Sequence, residues 1–315
     1  MPDAQESARP RSIACIGECM VEFAKTPGTS NSYEQRFGGD TLNTAIYLAR
    51  LLAKNGHVHY ITRLGRDPFS NAMVTAWTSE NINCSLVEQV AGRLPGLYMV
   101  ETDRHGERSF LYWRSGAPAR ELFRGKCESL LERLNGFDTI YFSGITLAIL
   151  SEEGRTNLLG QIEHRTTDGK ATAYDPNFRR ALWKDADEAA LWNARAIACC
   201  PLVLPSIEDL RGIFDEQHDG TGWIGKLTAL GAKDIVLKNG GSNVFTRVGG
   251  QRKDFALDSV ARVLDTTGAG DSFNAGFLAG RALGSTVEQA VDRGHALASK
   301  VIQHPGAIIP VNSMR

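Results

Sequence analysis

No apolar run in the 315-residue chain reaches the ~18 residues that a membrane-spanning helix needs, which argues against a transmembrane protein. An excess of either charge is also missing. Lys and Arg number 35 against 36 Asp and Glu, and a net charge of −1 offers no footprint for nucleic acid or an anionic membrane. The six cysteines (Cys15, Cys19, Cys84, Cys127, Cys199 and Cys200) contain no CxxC pair and no histidine cluster joins them, which argues against a zinc site. Several lie in apolar, strand-like runs where cysteine acts as a small hydrophobe, so a reducing cytoplasm is expected. The sequon Asn83-Cys84-Ser85 is then a chance match. Residues 1–11 are polar and lack an apolar signal core, which argues against secretion and predicts a disordered tail. There is no internal repeat and no long low-complexity linker.

What is present reads as alternating α and β structure. A mostly apolar strand run covers 12–24, interrupted by Gly17-Glu18. Gly38-Gly39-Asp40 leads into a helix predicted over 41–53, followed by a strand over 57–64 and a helix over 70–81. This βαβ opening implies a parallel sheet. Segment 95–114 differs: two apolar runs flank the polar turn 102–107, which predicts a hairpin standing off the sheet as a small lid. Further strands are predicted over 139–143, 171–174, 197–204 and 234–238, with 243–248 as hairpin partner of the last. Helices are predicted over 151–166, 186–194, 207–214, 272–283 and 286–303. The expected fold class is a doubly wound, mostly parallel α/β sheet flanked by helices, where ligands collect at the carboxyl ends of strands.

The most informative stretch is Asp265-Thr266-Thr267-Gly268-Ala269-Gly270-Asp271-Ser272-Phe273. Its glycines describe a tight turn opening a helix, where unpaired N–H groups and the positive end of the helix dipole suit an anion. Asp271 falls in the first helical turn, so a base stands beside a phosphate cradle. A structural helix start with a capping acid is the plainer alternative. The pattern is not a dinucleotide fingerprint, because Phe273 stands where its third glycine belongs. Gly220-Thr221-Gly222-Trp223-Ile224-Gly225-Lys226 fits most of a P-loop, but Leu227 replaces the hydroxyl residue, and the stretch reads as a loop entering a helix.

Two segments together, Gly38-Gly39-Asp40-Thr41-Leu42-Asn43 and Asp265–Asp271, resemble the paired signatures of the ribokinase-like, phosphofructokinase-B-type carbohydrate kinases. The resemblance covers 12–310. It implies one ribokinase-like kinase domain over that span, with a β lid built from segments near 20–38 and 95–115. Within the family the chain is similar to the kinases of 2-keto-3-deoxy-D-gluconate. That similarity is carried by Ile16-Gly17-Glu18-Cys19-Met20, Leu94-Pro95-Gly96-Leu97-Tyr98, Ser143–Leu150, Asp175-Pro176-Asn177-Phe178-Arg179 and Gly306–Pro310.

The resemblance implies ATP and Mg2+ as cofactors and phosphorylation of 2-keto-3-deoxy-D-gluconate at its terminal hydroxyl. Asp271 would be the general base, and the Gly268, Ala269 and Gly270 amides the anion hole. Gly39, Asn43, Tyr98, Tyr112, Arg114 and Arg179 would contact the sugar acid, the arginines because a planar guanidinium matches a carboxylate. Asn177, Arg179, Lys238, Asn239, Gly240, Gly241, Ser242 and Asn243 would face the nucleotide. The family's Asn-x-x-Glu metal motif is replaced here by Ser206-Ile207-Glu208-Asp209, so the metal residues are unknown, with Asp209 acting through water the one candidate. The small-molecule partners are the sugar acid and ATP. A homo-oligomer through the lid is expected, because a hairpin lid has an apolar face that one subunit leaves uncovered. Competing readings are a kinase for another sugar (fructose, ribose, 2-dehydro-3-deoxygalactonate) or a nucleoside, and a non-catalytic sugar-acid sensor.

Overall fold

Successive residues of the first strand point to opposite sides of the central sheet, as a two-residue period requires. Ile13 and Cys15 enter one apolar layer, Ala14 and Ile16 the other. The computed structural model describes residues 11–26, 29, 32–102 and 108–314. In chain order β1 (Arg11–Ile16) precedes β2 (Met20–Lys25), β3 (Tyr33–Gly38), α1 (Asp40–Leu52), β4 (Gly56–Gly65) and α2 (Pro68–Ser79). Next come β5 (Ile82–Asn83), β6 (Val87–Val90), β7 (Gly96–Thr102), β8 (Arg108–Trp113), α3 (Glu128–Leu134), β9 (Thr139–Ser143), α4 (Gly144–Ile149), α5 (Glu152–Thr167) and β10 (Ala171–Asp175). The remainder is α6 (Ala186–Cys199), β11 (Leu202–Val203), α7 (Ile207–Phe214), α8 (Gly220–Ala229), β12 (Asp234–Asn239), β13 (Asn243–Val248), β14 (Gln251–Ala256), α9 (Ala269–Ala282) and α10 (Val287–Val301).

The main sheet runs β14-β13-β12-β11-β10-β9-β1-β4-β5. It is parallel from β12 to β5, with the antiparallel pairs β12–β13 and β13–β14 at one end. A separate four-stranded sheet, β3-β2-β7-β8, forms the lid. There β2 pairs parallel with β7, and β8 returns antiparallel with Tyr98 opposite Tyr112. The alternating pattern thus predicts both sheets. The hairpin turn expected at 102–107 lies outside the described residues over 103–107, and so does the expected tail up to residue 10, while Arg11 already opens β1.

One strand expectation is corrected. Residues 197–199 complete α6, and only Leu202 and Val203 pair as β11 between β10 and β12. The apolar run 197–204 is mostly buried in both parts, and burial blurs the periodicity that separates a helix from a strand. The glycine-rich P-loop mimic is likewise helical from Gly220, with Asp219 as its N-cap.

The site's floor is braced by one buried tyrosine. The Tyr47 hydroxyl on α1 donates to the Ala307 carbonyl at 2.8 Å and accepts from the Ile309 N–H at 3.0 Å. That pins segment 306–309, whose Ala307 packs against Gly268 so closely that a Cβ there would fall 2.9 Å away. Tyr47→Phe should therefore lower unfolding free energy by about 1–3 kcal/mol, since two buried backbone groups lose their partner. Urea denaturation checks this, and an unchanged midpoint would show that the hydroxyl braces nothing.

Candidate active site

Gly268 caps α9 in the left-handed region, at φ 76°, a conformation that favours glycine. The Ala269 N–H turns back onto the Thr266 carbonyl at 3.2 Å. Among the described residues, the N–H groups of Gly268, Gly270 and Asp271 carry no hydrogen bond. Three free amides at a helix start make an anion site, with Asp271 taking the place expected for Ala269. Lys238 adds a cation: its Nζ lies 3.9 Å from where a Cβ on Gly270 would stand. The turn is tied to the C-terminal segment by Asp265, which accepts from the Thr267 N–H at 3.0 Å and the Gly306 N–H at 2.6 Å.

Asp271 is 9% exposed, and Asn43 on α1 donates its amide to Oδ2 at 2.8 Å. Thr44 donates to the Asp271 carbonyl at 3.2 Å, clamping α1 onto the start of α9. Burial pushes the Asp271 carboxyl up to about 7; the Asp40 charge adds to this, while the Asn43 amide and Lys238 oppose it. A carboxylate with that pKa is half ionised near neutrality and can accept a proton from an alcohol. Asp40 itself accepts from the Asn177 amide at 2.8 Å. Gly39 fits because a Cβ there would fall 2.2 Å from the Glu18 carbonyl oxygen.

Beside this pair lies a second buried network at the carboxyl ends of β10 and β12. Lys238 donates to Asp175 at 3.2 Å and to the Asn274 carbonyl oxygen at 3.0 Å. The Asn274 amide returns to Asp175 at 2.6 Å and to the Tyr141 hydroxyl at 3.1 Å. Sequence reasoning placed Lys238 in a nucleotide loop; the structure brings it to the centre. Asn239–Asn243 form the hairpin tip beyond it, with Gly240, Gly241 and Ser242 exposed at the rim. Asp40, Asp175 and Asn274 were missed as site residues, although each stands inside or next to a quoted motif.

The lid contributes its inner face. Tyr98, Phe110 and Tyr112 lie together, with ring centroids of 5.8 Å for Tyr98–Tyr112 and 6.3 Å for Phe110–Tyr112. The Tyr98 hydroxyl is held by Glu22. Arg114 is buried, and its Nη2 donates to Glu18. Arg114, expected to contact the sugar acid, is thus already paired with a carboxylate, a partnership the sequence conceals because 96 positions separate the two residues. Arg179 is exposed and donates to the Phe178 carbonyl at 2.9 Å. Burial raises the Tyr112 hydroxyl's pKa, and the charges of Arg114 and Arg179 pull it down, so both arginines lie within electrostatic reach of that ring.

Asp209 serves the start of α7. Its oxygens accept from the Phe178 N–H at 2.7 Å and the Ser206 hydroxyl at 2.6 Å. Among the described residues no group of three or more His, Cys, Asp or Glu is arranged to hold a metal.

The Asp40 charge raises the proton affinity of Asp271, so its removal has a readable sign. With Asp271 in the role of base expected from the sequence, only its ionised form would act, and kcat/KM should fall as pH drops through about 7. Asp40→Asn takes away a repelling charge, which should lower the Asp271 pKa and move that limb to lower pH. A limb that stays put or moves upward in the pH–rate profile would contradict the assignment.

Comparison with known proteins identifies the family. The pattern of the pfkB family carbohydrate kinases matches residues 10–314. The 2-dehydro-3-deoxygluconokinase of Escherichia coli (strain K12) is 38% identical over 312 residues, covering 96% of this chain and 99% of that one. Among solved structures, a PfkB protein from Polaromonas sp. JS666 superposes with a TM-score of 0.82 at 24% identity, covering 95% and 98% of the two chains. A putative ribokinase II from E. coli, solved in complex with ATP and Mg2+, gives a TM-score of 0.80 at 17% identity over 95% and 94%. Taken with the signatures at both ends of the cleft, these likenesses show that the chain belongs to the pfkB family of carbohydrate kinases.

Proposed function

We propose that this kinase transfers the γ-phosphoryl group of ATP to the terminal hydroxyl of 2-dehydro-3-deoxy-D-gluconate. The product is 2-dehydro-3-deoxy-6-phospho-D-gluconate, with ADP as the leaving group. The observation that carries the reading is the buried Asp271 carboxylate beside three free amides and Lys238. The alcohol oxygen forms the new P–O bond, its proton passes to Asp271, and the bond to the ADP oxygen breaks. Amides of Gly268, Gly270 and Asp271, with Ala269 shaping the turn, stabilise charge on the migrating group. Lys238 adds a positive charge that Asp175 and Asn274 hold in place. Magnesium would enter with the nucleotide and offset phosphate charge, and Asp209 would hold it through water.

The sugar acid lies between α1 and the inner lid face, against Gly39, Asn43, Tyr98 and Tyr112. Arg114 and Arg179 face its carboxylate. Asn177, Arg179 and the rim from Asn239 to Asn243 are assigned to the nucleotide side. The lid strands are assigned to the same kinase domain and cover the sugar. One observation favours a second reading: Glu18 already balances the Arg114 charge, which suits a neutral sugar. A coupled assay with ATP and magnesium across ketodeoxygluconate, ketodeoxygalactonate, fructose and ribose decides between them, and preference for a neutral sugar would overturn the acid assignment.

Asp271→Asn should reduce kcat by about 100- to 10,000-fold, the range for loss of a general base, with sugar binding little changed. Unaltered turnover would remove Asp271 from the mechanism. Oligomerisation is proposed through the lid's other face, where Leu111 is 50% and Trp113 56% exposed, both apolar and adjacent. Light scattering at micromolar concentration should show a dimer or larger species, and a monomer would contradict that.

A further inference from the structure

Glu18 belongs to no element of the phosphoryl-transfer machinery, yet it is 3% exposed and stands beneath the lid. It occupies the bend between β1 and β2, where the backbone of Gly39 closes over its carbonyl and Gly96 covers its carboxylate. A Cβ on Gly96 would come 2.9 Å from Oε1. Its other oxygen accepts from Nη2 of Arg114. Oε1 of Glu18 and Nε of Arg114 are both sealed from solvent without a hydrogen-bond partner. Nη1 of Arg114 is neither sealed in this way nor hydrogen-bonded among the described residues, so it is the guanidinium nitrogen left for a ligand. The head also lies 5.9 Å from the Tyr112 ring centroid, on the inner lid face.

Granted the sugar-acid reading, we propose that Glu18 is the positioning residue of the acid-binding arginine. It ties down one end of the Arg114 guanidinium so that the other end meets the substrate's carboxylate. A long arginine side chain free in the cleft would lose rotamer freedom on every binding event; one already fixed by a buried carboxylate has lost it on folding. Neither charge would be stable in this enclosure alone, because an unpaired buried ion is strongly disfavoured. Glu18 acts through Arg114 and not on the ligand, since its remaining oxygen is shut off from the cleft. The groups that bear on its carboxyl fit this part. Burial pushes the carboxyl's pKa up, Arg114 and Arg120 pull it down, and Asp40 pushes it up.

The test is a double-mutant cycle in the full-length protein with Glu18→Gln, Arg114→Ala and the pair combined. Binding of 2-dehydro-3-deoxy-D-gluconate without nucleotide is read by titration calorimetry, and kcat and both KM values by coupled assay. Glu18→Gln should weaken binding of the acid by about tenfold, the scale of a charge-assisted contact, with kcat and the ATP KM little changed. Arg114→Ala should weaken it by about tenfold or more, and adding Glu18→Gln to that background should cost nothing further. Glu18→Asp, which keeps the charge on a shorter stem, should give an intermediate loss, and carries the comparison if the glutamine variant is insoluble. Unchanged or tighter binding in Glu18→Gln, or losses that multiply in the double variant, would overturn the inference while leaving the sugar-acid reading intact. Wild-type protein that fails to bind the acid would sink that reading and this inference together.

Discussion

The chemistry assigned to this fold depends on keeping one carboxylate out of water at the amino end of a helix. Asp271 is buried between α1 and α9, with the Asn43 amide on one oxygen and the Asp40 charge nearby. Burial and like charge raise its proton affinity, and the free amides beside it offer a place for phosphoryl oxygens. A carboxylate in open water would titrate too low to accept a proton efficiently from an alcohol at neutral pH. The cost of this arrangement is met by packing elsewhere, notably by Tyr47 and the segment 306–309 that backs Gly268.

Around that carboxylate the parallel sheet supplies opposite charges in fixed places. The Lys238–Asp175–Asn274 network sits where β10 and β12 end, so a cation reaches the anion site without being free to leave it. The lid performs a comparable task on the side assigned to the sugar. Its inner face carries Tyr98, Tyr112 and Arg114, each held by a neighbour through Glu22, ring contacts or Glu18. Both halves of the cleft therefore have their polar side chains oriented before any ligand enters, which reduces the ordering that binding would otherwise require.

Local features of the fold were legible in the sequence, and distant partnerships were not. The turn at Gly268–Asp271 and the alternating strands of the lid follow from backbone freedom and two-residue periodicity, both local properties. The buried strand β11 defeated that reading because Leu202 and Val203 follow directly on an apolar helix end. The polar edge strand β14 escaped it because most of its side chains face solvent. Asn43, singled out from a motif as a sugar contact, donates to Asp271 across 228 positions, a pairing that the motif did not foretell. Glu18 and Asp175 also stand in quoted motifs, but nothing local named the cations they pair with, Arg114 and Lys238. A carboxylate that exists to hold a cation looks like any other acid until the chain is folded.

The most direct test of this account is to watch the buried carboxyl itself. With aspartate carboxyl carbons labelled, a 13C NMR titration should show one resonance with a midpoint near 7, and Asp271→Asn should abolish it. If every aspartate instead titrated in the ordinary range, at about 4, Asp271 would not be the poised base on which the mechanism depends.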